Sequence, residues 1–91
     1  MTSLHLRQAT ATDVATLTTL AALDETAPLR QPALMAFEDG RPVAAMSLAD
    51  GRVAADPFVH TAEAVALLRA RRERRSAAPR RGVRRARFVL A

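Results

Sequence analysis

The residues best suited to chemistry are ten arginines that crowd the C-terminal end of this 91-residue chain. Between Arg69 and Arg87 only Glu73 is acidic. Guanidinium groups form charge-assisted hydrogen bonds with phosphates and displace their counterions. This density predicts an arm that contacts nucleic-acid phosphates without reading sequence, because only Phe88 could stack on a base. The predicted contact residues are Arg69, Arg71, Arg72, Arg74, Arg75, Arg80, Arg81, Arg84, Arg85 and Arg87.

The distribution of charge leaves other partners open for this arm. Residues 1–68 hold four arginines and eight acids, a net charge of −4, whereas residues 69–91 hold ten arginines and one acid, a net charge of +9. The arm could therefore lie on the acidic body of the same chain or of a second one. It could also bind an anionic membrane surface into which residues 88–90 dip, or stay solvated without a dedicated partner.

Residue types that carry catalysis are sparse in this sequence. His5 and His60 are the only imidazoles, and no nucleophile or orienting group accompanies either of them. Asp56 and Glu63 flank a predicted helix start, where turn and capping roles are more common than paired acid–base work. The chain has no cysteine, so two histidines alone make a zinc site unexpected. We therefore expect no catalytic residue, no metal and no cofactor, although an enzymatic role stays open.

Two Asp-Gly pairs divide the middle of the chain into three short apolar runs. Asp39-Gly40 and Asp50-Gly51 are typical of tight hairpin turns, because glycine adopts positive φ without steric cost. The pattern predicts a three-stranded antiparallel meander within residues 33–59. Residues 4–7 alternate apolar and polar side chains, which favours a further half-buried strand. The expected sheet therefore has about four strands.

Two helices are expected around this sheet. Thr10 is a predicted N-cap with Asp13 three residues on, and the first helix should end near Asp24. Thr61 should cap the second, whose apolar face contains Ala64, Val65, Leu67 and Leu68. We expect both helices to pack on the sheet face with larger side chains, leaving the small-residue face for a partner subunit. The prediction is an α/β (α+β) domain of β-α-β-β-β-α order.

Pro79 and the run of arginines around it predict that the chain has two parts. Ser76-Ala-Ala-Pro79 should break the second helix, which gives a domain over residues 1–75 and an Arg-rich flexible tail over residues 76–91. A small core and an open sheet edge favour a homodimer through the sheet. No apolar run approaches the length of a membrane span, and no signal-peptide pattern opens the chain, which predicts a soluble cytoplasmic protein.

Two stretches resemble the GCN5-related N-acetyltransferase (GNAT) family. Leu6-Arg-Gln-Ala-Thr-Ala-Thr-Asp13 is similar to its first strand and helix start, and Leu34-Met-Ala-Phe-Glu-Asp-Gly-Arg-Pro-Val-Ala-Ala-Met-Ser-Leu48 to its second and third strands. The resemblance covers roughly residues 3–56, so it implies the N-terminal half of that fold. It also implies acetyl-CoA binding at a Gly-rich turn after the fourth strand, but residues 56–63 contain no glycine there.

The departures from the family shape the functional expectation. The later strands of the acyl-CoA cleft are missing, and the chain has neither the tyrosine nor the cysteine that often serves as the acid. We therefore expect a truncated, non-catalytic GNAT-like binding or regulatory module that presents its Arg-rich arm to nucleic acid. Two alternatives remain: a minimal acyl-CoA-dependent transferase completed by dimerisation, and a structural subunit that binds another protein through its body.

Overall fold

The computed structural model describes the backbone of residues 3–83 and the side chains of residues 3–75. It is a small α+β fold with four strands, a short 3₁₀ turn at Ala11–Asp13 and two helices. The strands form one antiparallel sheet in the order β1-β2-β3-β4, which confirms the predicted order of elements. The elements are β1 (Leu4–Gln8), α1 (Val14–Leu23), β2 (Ala33–Glu38), β3 (Arg41–Ser47), β4 (Val53–Ala55) and α2 (Ala62–Val83).

The two Asp-Gly pairs form different turns. Asp39 and Gly40 both have positive φ, 51° and 84°, and Glu38 pairs directly with Arg41. This is the two-residue hairpin that the sequence predicts. The second connection is longer, because Ser47 Oγ accepts the N–H groups of Ala49 and Asp50 and so holds a wider loop. Gly51, with φ 78°, supplies the positive φ that returns the chain to β4.

A β-bulge interrupts the pairing of β2 with β3. Ala36 pairs with Ala44 but Phe37 pairs with Pro42, so Val43 is an extra residue on β3. Pro42 has no N–H to donate, and a bulge is where a strand tolerates proline. As a result Val43 packs in the same cluster as Ala44. The regular alternation of a strand, in which neighbouring side chains point to opposite faces, is therefore broken at these two residues.

The helices cover opposite faces of the sheet, which corrects the expectation that both pack on one face. On one side Leu17, Leu20 and Ala21 of α1 pack with Met35, Ala45 and Ala54. On the other side Ala64 and Leu68 of α2 pack with Leu34, Ala44 and Met46. Neighbouring strand residues point to opposite faces, and both sets are apolar here, so each face needs its own cover. Within residues 3–75, neither face is left for the partner subunit that the sequence suggested.

Both ends of α1 have identifiable causes. At the 3₁₀ turn that leads into α1, Thr10 and Asp13 form the predicted cap, in which the Asp13 carboxylate accepts the N–H of Thr10. At its end Thr26 N–H donates to Ala21 O at 2.9 Å, and Glu25 N–H donates to Ala22 O at 3.1 Å. This is a Schellman motif in which Glu25, with φ 53°, occupies the left-handed position that glycine usually fills. The helix therefore ends at Leu23, near the predicted boundary.

Helix α2 is longer than the sequence suggested. It begins after Thr61, whose carbonyl accepts the N–H of Val65, and it continues to Val83. The break predicted at residues 76–79 is therefore wrong: proline removes one hydrogen bond and can bend a helix without ending it, and the neighbouring alanines and arginines are good helix formers. The predicted flexible tail over residues 76–91 stays a prediction, and residues 84–91 lie outside the described chain.

Candidate nucleic-acid interface

The sheet-facing side of α2 changes from apolar to basic along the helix. Ala64 and Leu68 are 3% and 0% exposed and lie four residues apart, so they share one face against the sheet. The next residue on that line is Arg72. Leu68 is therefore the last buried apolar contact of α2 among the side chains that are described. Beyond it the helix continues for more than three turns, and its side chains up to Arg75 include four further arginines.

The structure divides the predicted contact residues into four groups. Arg69, Arg74 and Arg75 are exposed, whereas Arg71 and Arg72 are partly buried. Arg80 and Arg81 lie on the helical backbone, and nothing more is described of them. The remaining three, Arg84, Arg85 and Arg87, lie outside the described residues together with Phe88. The clearest set for an external partner is therefore Arg69, Arg74 and Arg75.

Arg72 turns back onto the loop between β3 and β4. A Cβ atom built on Gly51 would lie 3.1 Å from Nη1 and 3.3 Å from Cζ of Arg72. The guanidinium thus occupies space that any other residue at position 51 would fill. Beside it is a cavity of about 150 Å³ lined by Met46, Gly51, Arg69, Arg72 and Glu73. Nε of Arg72 is buried, and no acceptor among the described residues lies within hydrogen-bond distance of it.

A second cluster of charged residues is centred on the ion pair between Arg7 and Asp13. Two guanidinium nitrogens of Arg7 donate to the two carboxylate oxygens of Asp13 at 2.8 and 3.0 Å. The N–H of Thr10 donates to the same carboxylate at 2.7 Å. Hydrogen bonds from Arg7 and Thr10 hold the pKa of Asp13 well below its usual range. Cζ of Arg7 also lies 4.8 Å from the centre of the Phe37 ring, so this cluster joins β1, β2 and the start of α1.

The two histidines and the two acids that the sequence analysis considered for catalysis lie at the positions described next. The ring of His5 lies 6.3 Å from that of Phe37, and His60 is exposed before α2. Asp56 Oδ1 accepts the N–H of Phe58 at 2.9 Å, which confirms its turn role. Glu63 lies in the first turn of α2, as predicted. In the part of the chain that is described, no group of three or more His, Cys, Asp or Glu could hold a metal ion.

The loop at residues 56–61 also bears on the resemblance to acetyltransferases. In that family the corresponding place presents backbone N–H groups to a pyrophosphate. Here the Asp56 carboxylate accepts the Phe58 N–H, so this N–H of the loop is already paired within the chain. This geometry gives the acyl-CoA alternative no supporting contact. No helix among the described residues is both long and apolar enough to cross a membrane.

Comparison with known proteins found no match among family models, curated proteins or solved structures. The GNAT resemblance therefore stays a prediction from the residues that carry it.

Proposed function

We propose that this chain is a non-catalytic binding module that presents helix α2 to the phosphates of nucleic acid without reading sequence. The observation that carries the proposal is the course of α2: it remains helical beyond Leu68, and its exposed arginines up to Arg75 form no ion pair among the described residues. Among the described side chains the one ion pair joins Arg7 to Asp13, on a different part of the molecule.

Electrostatics orient the module toward a polyanion. Residues 69–75 contain five arginines and one acid, a net charge of +4, whereas residues 1–68 carry −4. A phosphate backbone would attract the projecting helix and repel the body, which favours end-on approach of α2. From residue 69 to 83 the helix spans about 21 Å at 1.5 Å per residue, enough to pass several successive phosphates.

The test is binding of the full chain to a labelled duplex, measured by fluorescence polarisation. R74Q/R75Q removes two exposed charges from α2, whereas R30Q/R41Q removes two exposed charges from the body. The α2 variant should bind more weakly and lower the salt slope by about two, because each phosphate contact contributes roughly one. R30Q/R41Q should stay close to the wild type. Equal effects of the two variants would show that only net charge matters and would refute an α2 interface.

We further propose that two copies pair through the outer edge of β1. At the opposite edge of the sheet, the outward N–H of Ala55 on β4 already donates to the Asp24 carboxylate at 3.1 Å. On β1, Ala9 N–H and Ser3 O bond toward β2, so Leu4, Leu6 and Gln8 point their peptide groups outward. The carbonyl of Gln8 already accepts Arg7 Nη1 at 3.3 Å, and an antiparallel pair of β1 strands would satisfy the other outward groups by a two-fold symmetric contact.

Light scattering at micromolar concentration tests this pairing. We expect a dimer for the wild type and a monomer for Q8P, which removes one outward N–H at an exposed strand end. Q8A keeps that N–H and should remain dimeric. A monomeric wild type would contradict the dimer but would leave the α2 interface untouched.

A further inference from the structure

Arg72, which lines the cavity, also carries a buried hydrogen-bond donor, Nε, that has no partner among the described residues. Buried polar groups in proteins nearly always have a partner, so an unpaired one needs an explanation, and a bound water, ion or ligand is one. Nε of Arg72 is such a donor, and the guanidinium of the same side chain lies close to the Gly51 turn. An external acceptor would approach this side chain from the cavity, which Arg69 also lines.

The lining of the cavity matches an oxyanion. Arg69 and Arg72 lie three residues apart on α2, so both side chains reach the same side of the helix and both line the cavity. Guanidinium groups bind phosphate oxygens through two parallel hydrogen bonds. Glu73 lines the cavity as well and reduces the charge of the three groups to +1, which suits a single phosphate group. The nearby N–H groups of Ala49 and Asp50 already donate to Ser47, so the arginines are the donors.

We propose that Arg69 and Arg72, against the Gly51 turn, form a seat for one phosphate group. This inference rests on the proposed function in that a backbone phosphate of nucleic acid would occupy the seat and anchor α2 where it leaves the sheet. The recognising chemistry is that of a phosphate oxygen, so free phosphate fits the same seat. Gly51 suits this arrangement because a Cβ there would crowd the Arg72 guanidinium at 3.1 Å.

Two measurements on the full chain separate this seat from the nucleic-acid interface. The first is thermal unfolding in inorganic phosphate against sodium chloride of equal ionic strength. Phosphate should raise the Tm of the wild type and of R74Q, whose changed residue is exposed and outside the cavity, but not that of R72Q. E73Q should respond more strongly than the wild type, because it removes the carboxylate from the cavity.

The second measurement is duplex affinity by fluorescence polarisation. R72Q should bind about tenfold more weakly than R74Q, although both remove one charge, because only R72Q removes a guanidinium from the proposed phosphate site. If R72Q does not fold, R72K replaces it, since lysine keeps the charge and the stem but loses the paired donors.

The outcomes distinguish the two proposals. A wild type that binds no duplex but gains stability from phosphate through Arg72 would refute the nucleic-acid function and support the seat. A wild type that binds duplex, with R72Q equal to R74Q and no phosphate-specific rise in Tm, would overturn the seat and leave the α2 interface standing.

Discussion

Single residues with unusual backbone or charge environments give the sharpest stability tests, and Glu25 is the first of them. It holds φ 53° at the left-handed position after α1, where a residue with a Cβ costs about 1–2 kcal/mol. Replacing it with glycine should increase the free energy of unfolding by about 1 kcal/mol in urea denaturation. Glu25→Ala keeps the Cβ and should give no such gain. Equal stabilisation by both variants would assign the effect to the lost carboxylate instead.

The Asp13 carboxylate links stability to pH. Because its pKa is lowered in the folded state, the unfolded chain binds more protons as the pH falls below about 4, the ordinary pKa of aspartate. The stabilisation from this carboxylate is present above that pH and is lost as the pH falls toward the folded pKa. Asp13→Asn should therefore flatten the acid side of a stability-versus-pH curve measured by urea denaturation.

Asp50 provides the control for that measurement. Its pKa is also lowered, mainly because its carboxylate accepts the N–H of Arg52. Asp50→Asn removes this smaller contribution and should leave most of the acid dependence in place. If Asp13→Asn follows the wild-type curve, the ion pair with Arg7 does not contribute to acid stability.

At the scale of elements, the two glycine turns differ in a way that a matched pair of variants can measure. Gly40 and Gly51 have similar positive φ, 84° and 78°, but only Gly51 has Arg72 against it. Glycine-to-alanine changes should each cost about 1–2 kcal/mol of unfolding free energy from backbone strain. Gly51→Ala should cost more than Gly40→Ala, and Arg72→Ala should remove that excess. Equal costs at the two turns would show that the Arg72 contact does not change the free energy of unfolding of the Gly51→Ala variant.

The elements also show what the sequence could predict. The Asp-Gly pairs and the Thr10–Asp13 spacing determine local backbone geometry, so the strands and the first helix could be predicted from neighbouring residues. The faces of the sheet could not, because Leu34 and Met35 are both apolar and point to opposite sides. The inward turn of Arg72 was missed, although its spacing of four from Leu68 places it on the buried line of α2. The pairing of Arg7 with Asp13 depends on how β1 meets α1, which no local pattern indicates.

At the scale of the whole molecule, the fold carries charge of opposite sign at two ends. In the acidic body, one helix covers each face of the sheet. Beyond Leu68, α2 continues past the sheet as a basic helical segment. In the proposed function this part of α2 binds phosphates. Because each neutralised phosphate releases counterions, the salt dependence of the affinity reports how many phosphates are contacted.

The most direct measurement is the affinity of the full chain for a duplex over a range of salt concentrations. If Arg69, Arg74 and Arg75 each neutralise one phosphate, the logarithm of the association constant should fall with the logarithm of salt at a slope of about −3 or steeper. A slope near zero, or no binding near physiological salt, would contradict the claim that α2 is a nucleic-acid interface.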